Sequence, residues 1–520
     1  MESEGSSSLW ARSVTTVLTP ANIFSIFALW ITYRAGLALY NISSFHPLNR
    51  FPGPKLAAAS FFYEFWFDFV KGGRYTWEIK RMHEKYGPIV RINPEELHCN
   101  DPEFTDEIYA GGNRVRDKQQ HHVNSVAGPV SFSTFATVEH ETHRIRRTAA
   151  SRFFSRAQML KFENEISSIT TQLCDKLLAW KNKPPFDIND AFACFTADAI
   201  SQYAYGEPTG YLTQPNWTPN FRDSVRALGG SCFVLRFMPV FRNLVDFAPP
   251  LARFMTDEIA MFMRETAEVL PRRIQEVKDN RSKGRMFAEL LDSNLPESEK
   301  TVYRLSGEAF SLIGAGTETT AKVMSNMTYY LLSQPHTLEK LKAELKTANV
   351  DPENLSWTAL ERIPYLYGVV YEGLRLSHGT SARSPRTARE EDLMYRSQEG
   401  DVQYVVPKGT PVGMSAFLAN TDENIFPRPM EFLPERWIDE QGNKNHSLEK
   451  YMFSFSRGSR QCMGMNLALC ELYLVITSVT LRVIPHMQLY KTTEEDVIYD
   501  FDLVVPQPKK GTNGIRVTIS

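Results

Sequence analysis

The chain has 520 residues, 42% of them hydrophobic and 23% charged, which is ordinary for globular proteins. A net charge of −2 gives no electrostatic footprint for nucleic acid, so no nucleic-acid partner is expected. The six cysteines are sparse and follow no spacing pattern. They therefore indicate no disulfide framework and favour a body that faces the reducing cytosol.

An apolar stretch near the N-terminus runs from Ile23 to Tyr40. It is about long enough to cross a bilayer, which takes roughly 20 residues. Arg34 interrupts it, and an arginine inside a membrane is costly unless it reaches the interface. No clear cleavage site follows, so a single membrane anchor is favoured over a removed signal peptide. A surface-bound amphipathic helix or a buried core helix is the alternative.

A stiff Phe51-Pro52-Gly53-Pro54 segment separates this region from the rest of the chain. We therefore predict a tail and anchor over residues 1–50 and one domain over residues 51–520, because the remainder has no repeats and no low-complexity linker. A helix is expected over Trp77–Tyr86, ending at Gly87-Pro88, followed by a short hairpin. Residues 111–138 are polar and irregular, as functional loops often are.

Two histidines, His140 and His143, lie in an arginine-rich helical stretch that also contains Arg147. The zinc pattern H-E-x-x-H needs histidines four positions apart, and these are three apart. A metalloprotease is therefore not indicated. Arg144, Arg146 and Arg152 are expected to form a cationic face that suits docking of an acidic redox partner.

A long helix is predicted over Tyr303–Ser333, and it contains the string Gly314-Ala315-Gly316-Thr317-Glu318-Thr319-Thr320. Glycine inside a helix costs about 1 kcal/mol relative to alanine, so two of them need a reason, such as close approach of a ligand or a widened turn. An acid next to a hydroxyl can carry protons into a site. A helical threonine also commonly bonds the preceding carbonyl.

Downstream segments predict structure more than chemistry. Glu372 and Arg375 are three apart and share one face of a helix that begins at Pro364. Residues 402–409 and 411–414 are expected to pair as a hairpin. A terminal strand at residues 503–505 is expected to place its tip in a pocket.

The most informative stretch is Phe455–Gly464, in which Cys462 lies between two glycines and precedes an apolar helix. A helix N-terminus favours an anion and lowers the pKa of a thiol towards thiolate. Zinc usually takes three or four protein ligands, whereas haem brings four nitrogens and accepts one axial cysteine. Gly464 allows close approach of a flat macrocycle, Arg460 can reach a haem propionate, and Phe455 can shield the sulfur.

This string resembles the haem-binding signature F-x-x-G-x-R-x-C-x-G of the cytochrome P450 family at every fixed position. Ala315–Thr320 resembles the family's A-G-x-[DE]-T-T, Glu372–Arg375 its E-x-x-R, and Pro434–Trp437 its P-E-R-F with tryptophan replacing phenylalanine. The N-terminal half resembles fungal, microsomal members similar to the trichodiene oxygenase-like group. The likeness covers roughly residues 52–508.

The resemblance implies a mainly α fold with small β-sheets, the helical prism of the family, behind an N-terminal membrane anchor. It implies haem b, with Cys462 as the iron ligand. It also implies a set of residues that hold the haem propionates, and a proton relay formed by Thr319 and Glu318. The propionate holders are Arg460, Arg386 (with Arg383 as second choice), Arg147 and His143, the last replacing the family's tryptophan. Glu372, Arg375 and Arg436 would form a buried structural triad.

The activity implied is hydroxylation or epoxidation of a small apolar secondary metabolite, with dioxygen and with electrons from an NADPH-cytochrome P450 reductase. A terpenoid is the first expectation and a polyketide or alkaloid the second. The expected location is the endoplasmic reticulum membrane, with the domain facing the cytosol. The alternatives are a haem-thiolate isomerase or dehydratase, and a membrane-anchored binding protein in which Cys462 is merely packed.

Overall fold

The computed structural model describes residues 19–242, 256–281, 285–397, 400 and 402–520. The N-terminal half contains the helices α1 Pro20–Ile42, α2 Lys55–Ala59, α3 Phe62–Phe65, α4 Tyr75–Tyr86, α5 Thr105–Ile108, α6 Gln120–Val123, α7 His140–Ser151, α8 Arg156–Leu178, α9 Ile188–Tyr205 and α10 Phe221–Phe237. The C-terminal half contains α11 Asp257–Arg264, α12 Leu270–Asp279, α13 Met286–Asp292, α14 Val302–Ser333, α15 Pro335–Thr347, α16 Trp357–Leu360, α17 Pro364–Ser377, α18 Ala416–Asn420 and α19 Met465–Ser478.

The strands are short and form small sheets at the edges of the helical body. They are β1 Ile89–Arg91, β2 Leu97–Cys99, β3 Asp117–Lys118, β4 Phe186–Asp187, β5 Arg386–Thr387, β6 Leu393–Arg396, β7 Gln403–Val406, β8 Pro411–Gly413, β9 Met487–Leu489, β10 Phe501–Leu503, β11 Val505–Gln507 and β12 Arg516–Ile519. The mainly helical fold with small sheets is therefore confirmed.

The largest sheet has the strand order β1-β2-β8-β5-β3, and its far edge is important for the site. Antiparallel pairing of β3 with β5 places Lys118 opposite Arg386. The predicted hairpin of residues 402–409 with 411–414 is wrong, because β7 pairs with β6 whereas β8 pairs with β2 and β5. The predicted hairpin of β1 with β2 is confirmed.

Helix α14 is the central element of the core. Its first turn is capped by the Thr301 side chain, which accepts a hydrogen bond from the backbone N–H of Arg304. The helix is regular over all 32 residues, so the widened turn that its glycines allowed is not present. It packs against α9, α17 and α19, and this packing places Ala315, Gly316 and Thr319 of α14 and the start of α19 beside the same cavity.

Helix α1 is separate from this core. It is long and apolar enough to cross a membrane, and none of its apolar window is buried against the protein. The predicted span Ile23–Tyr40 lies inside it, while residues 1–18 of the predicted tail lie outside the described residues. Residues 465–486 pass the same length and hydropathy test but are mostly buried, as expected for a core helix.

Candidate active site

Cys462 lies on a tight loop that leads into α19. Gly458 has φ +69°, and a Cβ at this position would lie 1.8 Å from the carbonyl oxygen of Tyr109, so the turn requires glycine. The backbone N–H of Cys462 donates to the carbonyl of Phe455 at 2.8 Å, closing the loop on itself. The Cys462 side chain remains exposed, and it faces a cavity.

Two opposing effects act on the Cys462 thiol. Desolvation by the surrounding protein raises the pKa of this thiol above its ordinary value, whereas the Gly464 N–H and Arg147 lower it. Desolvation therefore outweighs the helix N-terminus. A thiolate at this position needs further positive charge, which a bound metal ion would supply.

The cavity has a volume of about 320 Å³ and lies between α14 and the Cys462 loop. Every cofactor-binding residue predicted from the sequence lines it: Cys462, Phe455, Gly464, Arg460, Arg386, Arg147 and His143. These residues come from α7, β5 and the loop before α19, so the fold brings together positions more than 300 residues apart. The lining elsewhere is mostly apolar, with Val123, Leu312 and Val504 among its residues.

One side of the cavity carries cations that form no ion pair within the described residues. Arg460 donates to the carbonyls of Thr137 and Val138 at 2.5 and 2.8 Å, and Arg147 donates to that of Gln461 at 2.7 Å. Burial and the neighbouring Arg386 lower the pKa of Arg460 to about 9. Burial, together with Arg386 and Arg460, also holds the pKa of Lys118 well below its usual range.

These features fit a group that is flat and anionic. The Nε atom of Arg460 is buried and has no hydrogen-bond partner among the residues that the structure describes, as expected if an anion completes its surroundings. A Cβ on Gly464 would contact no atom of the protein, so this backbone faces open space in the cavity. Haem carries two carboxylates on a planar ring. The cations at the cavity match the carboxylates, and the open space beside the Gly464 backbone matches the flat ring.

The structure distinguishes between the two arginines, Arg383 and Arg386, that were proposed to bind one propionate. Arg383 donates to Glu96 at 2.9 Å and to Glu64 at 2.5 Å, so its charge is neutralised within the protein. Arg386 bonds only uncharged acceptors, namely the Ser384 hydroxyl and the carbonyls of Ser384 and Pro385. Arg386 is therefore the better candidate. His143 is buried, and burial and Arg460 lower its pKa to about 2, so it is neutral.

The two predicted relay residues occupy different environments. Thr319 lines the cavity, and its hydroxyl donates to the Ala315 carbonyl at 2.7 Å, which is the local bond typical of helical threonine. Glu318 is buried outside the cavity lining, and its carboxylate accepts from the Nε of Arg222 at 2.9 Å. Glu318 therefore does not line the cavity.

The predicted triad is present, with Glu372 and Arg375 fully buried and Arg436 partly buried. Glu372 accepts from Arg375 at 2.7 and 2.9 Å and from Arg436 at 2.9 Å. Trp437, which replaces the phenylalanine of the family pattern, adds its own Nε1–H bond to Glu372 at 2.9 Å. Burial alone would raise the pKa of Glu372, but Arg375 and Arg436 outweigh it and the pKa is lowered.

Sequence reasoning missed three basic residues of the cavity: Lys118, His122 and Arg236. Lys118 and His122 belong to a loop that was identified only as polar, and Arg236 lies in α10. The antiparallel pairing that places Lys118 beside Arg386 joins residues 268 positions apart. The predicted strand tip was right, because Val504 joins β10 to β11 and lines the cavity with φ +73°.

The fold and this site define the class of protein. The family model for cytochrome P450 matches residues 52–510, and the chain belongs to the cytochrome P450 family. Its relatives include proteins named cytochrome P450 monooxygenase, and the chain is an enzyme of this class.

Several fungal relatives match over most of their length. The chain is 40% identical to "Cytochrome P450 monooxygenase ppzE" of Metarhizium majus, over 81% of this chain and 92% of the relative. It is 38% identical to "Conidiogenone synthase PchP450" of Penicillium rubens, over 95% and 98%. It is 35% identical to "Cytochrome P450 monooxygenase tpcC" of Cochliobolus heterostrophus, over 98% and 99%.

Proposed function

We propose that the chain is a haem-thiolate monooxygenase that hydroxylates or epoxidises an apolar secondary metabolite, with a terpenoid as first candidate and a polyketide or alkaloid as second. The observation that carries the proposal is the exposed Cys462 side chain in a cavity that is also lined by Arg460, Arg386 and Arg147, three cations with no ion pair among the described residues. Family membership and the fungal relatives support the reaction class.

Haem b would be held by the residues that already line the cavity. Cys462 would provide the sulfur ligand, and Arg460, Arg386, Arg147 and the neutral His143 would hold the propionates. When bound, haem supplies a redox-active iron to which the thiolate donates electron density, favouring cleavage of the O–O bond of dioxygen. Phe455 would keep water from the sulfur, and the open space beside the Gly464 backbone would leave room for the ring.

Proton delivery is proposed to run along α14. Thr319 presents its Oγ1 to the cavity and can pass on the proton that it donates to Ala315 in the resting arrangement. Glu318 can supply protons only after its carboxylate turns away from Arg222, because the Arg222 ion pair holds it outside the cavity lining. The relay therefore requires a side-chain rearrangement at Glu318.

The membrane and the electron donor belong to the same proposal. The exposed apolar helix α1 supports a single anchor in the endoplasmic reticulum membrane, with residues 51–520 as the catalytic domain in the cytosol.

NADPH-cytochrome P450 reductase is the proposed electron donor. The arginines expected to attract it are ion-paired within the chain, Arg144 with Glu141, Arg146 with Glu299 and Arg152 with Glu289. Their net contribution to docking is therefore smaller than the sequence indicated.

The absorption spectrum of the purified protein, reduced and exposed to carbon monoxide, tests the proposal. A red-shifted Soret band is expected in wild type and in Cys470→Ser, which changes a buried cysteine of α19 outside the cavity lining. Cys462→Ser should lose that band. No haem band in the wild type would overturn the proposal, and a band that survives in Cys462→Ser would move the axial ligand elsewhere.

A further inference from the structure

One acidic residue of the cavity wall takes no part in the mechanism proposed above. Glu308 lies in α14, is almost fully buried, and lines the cavity. Its Oε2 atom accepts hydrogen bonds from Arg304 at 2.7 Å, from the Thr134 hydroxyl at 2.8 Å and from the Thr134 N–H at 3.0 Å. These bonds come from α14 itself and from the loop packed against it, so they fix the carboxylate in one orientation.

The second oxygen of Glu308 is available to a bound molecule. Within the described residues Oε1 accepts no hydrogen bond, and it is not sealed off from solvent. Because the side chain borders the cavity, Oε1 is an acceptor that a ligand there can reach.

Ser311 lies one turn further along the same face of α14 and also lines the cavity. The hydroxyls of Ser306 and Thr319 in this helix bond the carbonyl four residues before them. That of Ser311 makes no hydrogen bond in the part of the chain that the structure describes, and it too is not sealed off from solvent. Positions three apart on a helix have Cβ atoms about 5–6 Å apart, so one small polar group can reach both Glu308 and Ser311.

The charges around Glu308 indicate a neutral partner. Arg304 pairs with Glu308 at 2.7 Å and with Glu299 at 3.2 Å, and Arg146 pairs with Glu299 at 2.7 Å. Two acids therefore face two arginines, and their charges cancel. A carboxylate would be repelled by Glu308, and an ammonium ion would find no uncompensated acid here. A hydroxyl fits, because it donates one hydrogen bond and also accepts.

We infer that Glu308 and Ser311 form a subsite for a neutral hydroxyl group, and that the substrate is an apolar skeleton that already carries an alcohol. Its O–H would donate to Oε1 of Glu308, and its oxygen would accept from the Ser311 hydroxyl. The apolar part would lie along Leu312 and Val504, which line the same cavity. The inference rests on the proposed function, because it names the class of molecule that this enzyme oxidises.

Binding of two isomeric probes tests the subsite. Dodecanol and methyl undecyl ether have the same composition and nearly the same length, but only dodecanol has an O–H to donate. Both are titrated into the haem-loaded protein by calorimetry and by the Soret shift. Dodecanol is expected to bind at least about tenfold more tightly, as for a hydrogen bond to a charged group. Equal binding, or tighter binding of the ether, would overturn the inference.

Glu308→Gln separates the carboxylate from general packing. The donors on Oε2 would hold the amide oxygen of the glutamine, so its NH₂ group would take the position of Oε1 and would donate instead of accept. The preference for dodecanol over the ether should therefore fall about tenfold. A preference that stays as in wild type would place the alcohol elsewhere and refute the subsite.

Ser311→Ala breaks no ion pair, so it tests the subsite even if Glu308→Gln does not fold. The Ser311 O–H can donate to the oxygen of either probe, so both should bind about threefold to tenfold more weakly in the alanine variant. Unchanged affinity for both would contradict the subsite. Thr380→Val removes a hydroxyl that lines the cavity from the segment after α17, and as the control it should leave both affinities as in wild type. Haem content and thermal midpoint verify that each variant is folded.

The outcomes distinguish this inference from the proposed function. Protein that carries no haem but prefers dodecanol by calorimetry would refute the proposed function and retain the subsite. Haem-loaded protein that binds both probes alike would retain the monooxygenase and refute the subsite.

Discussion

Among single residues, Arg460 offers a direct test of the cation cluster. Its Nε is buried without a hydrogen-bond partner among the described residues, and its guanidinium forms no ion pair there, so a bound anion should stabilise it. We predict that Arg460→Gln accelerates haem loss about tenfold, the loss of one charge-assisted hydrogen bond. Haem transfer to apomyoglobin measures the rate. Arg457→Gln, in the same loop but bonded to the carbonyls of Glu449 and Lys450, is the control and should transfer haem at the wild-type rate.

The second prediction for a single residue concerns Thr319. Its Oγ1 lies at the cavity, whereas the neighbouring Glu318 does not. Thr319→Ala removes the last hydroxyl of the proposed relay, so NADPH electrons should leave as hydrogen peroxide at least about tenfold more often. The measurement is peroxide released per NADPH consumed, in the presence of reductase. Thr319→Ser should restore the wild-type ratio, and an alanine variant with an unchanged ratio would exclude the relay.

Among elements, the contact between α17 and the turn Pro434–Trp437 depends on one carboxylate. Glu372 binds Arg375, Arg436 and Trp437 in a fully buried position. Glu372→Gln leaves two buried cations without a counter-charge, and we expect a loss of about 3–5 kcal/mol in unfolding free energy by urea titration, or insoluble protein.

Glu435 is the matched control for this change. It lies in the same turn, but it pairs with Lys340 at the surface, where both side chains are about two-fifths exposed. Glu435→Gln should change the unfolding free energy by less than about 1 kcal/mol. Equal effects of the two variants would contradict a structural role for the triad.

The elements also show how far sequence could predict this protein. The Phe455–Gly464 loop, the helix around Thr319 and the Glu372–Arg375 pair are local patterns, and the sequence predicted them. Long-range partners were not predictable: Arg222 reaches Glu318 across 96 positions, and Glu64 neutralises Arg383 across 319. The strand pairing of residues 402–414 failed for the same reason, since β8 finds its partners in β2 and β5.

For the whole molecule, buried histidines make one contribution to the pH dependence of stability. His83 donates to the Gly87 carbonyl and accepts from His98, and burial lowers the pKa of His83 from 6.5 to about 4. Above pH 6.5 both the folded and the unfolded chain carry a neutral His83, so stability is unaffected. As pH falls below 6.5 the unfolded chain takes up a proton that the folded chain rejects until about pH 4, so stability falls.

This histidine alone should cost about 2 kcal/mol between pH 7 and pH 5. His98 and His378 are also buried with lowered pKa values, and they add to the loss in the same direction. Unfolding free energies at the two pH values are expected to differ less in His83→Gln than in wild type. His336→Gln, at an exposed position, should keep the wild-type difference. A pH response unchanged by His83→Gln would refute this account.

The backbone at Val504 has a consequence for how the enzyme can change. A β-branched residue with φ +73° costs about 1–3 kcal/mol, whereas glycine adopts this conformation freely. The chain gives up that stability in order to hold an isopropyl group at the cavity wall. Replacing valine with glycine at this position should therefore raise thermal stability and remove the isopropyl group from the cavity wall. Selection for thermal stability would thus tend to widen the range of substrates that the enzyme accepts.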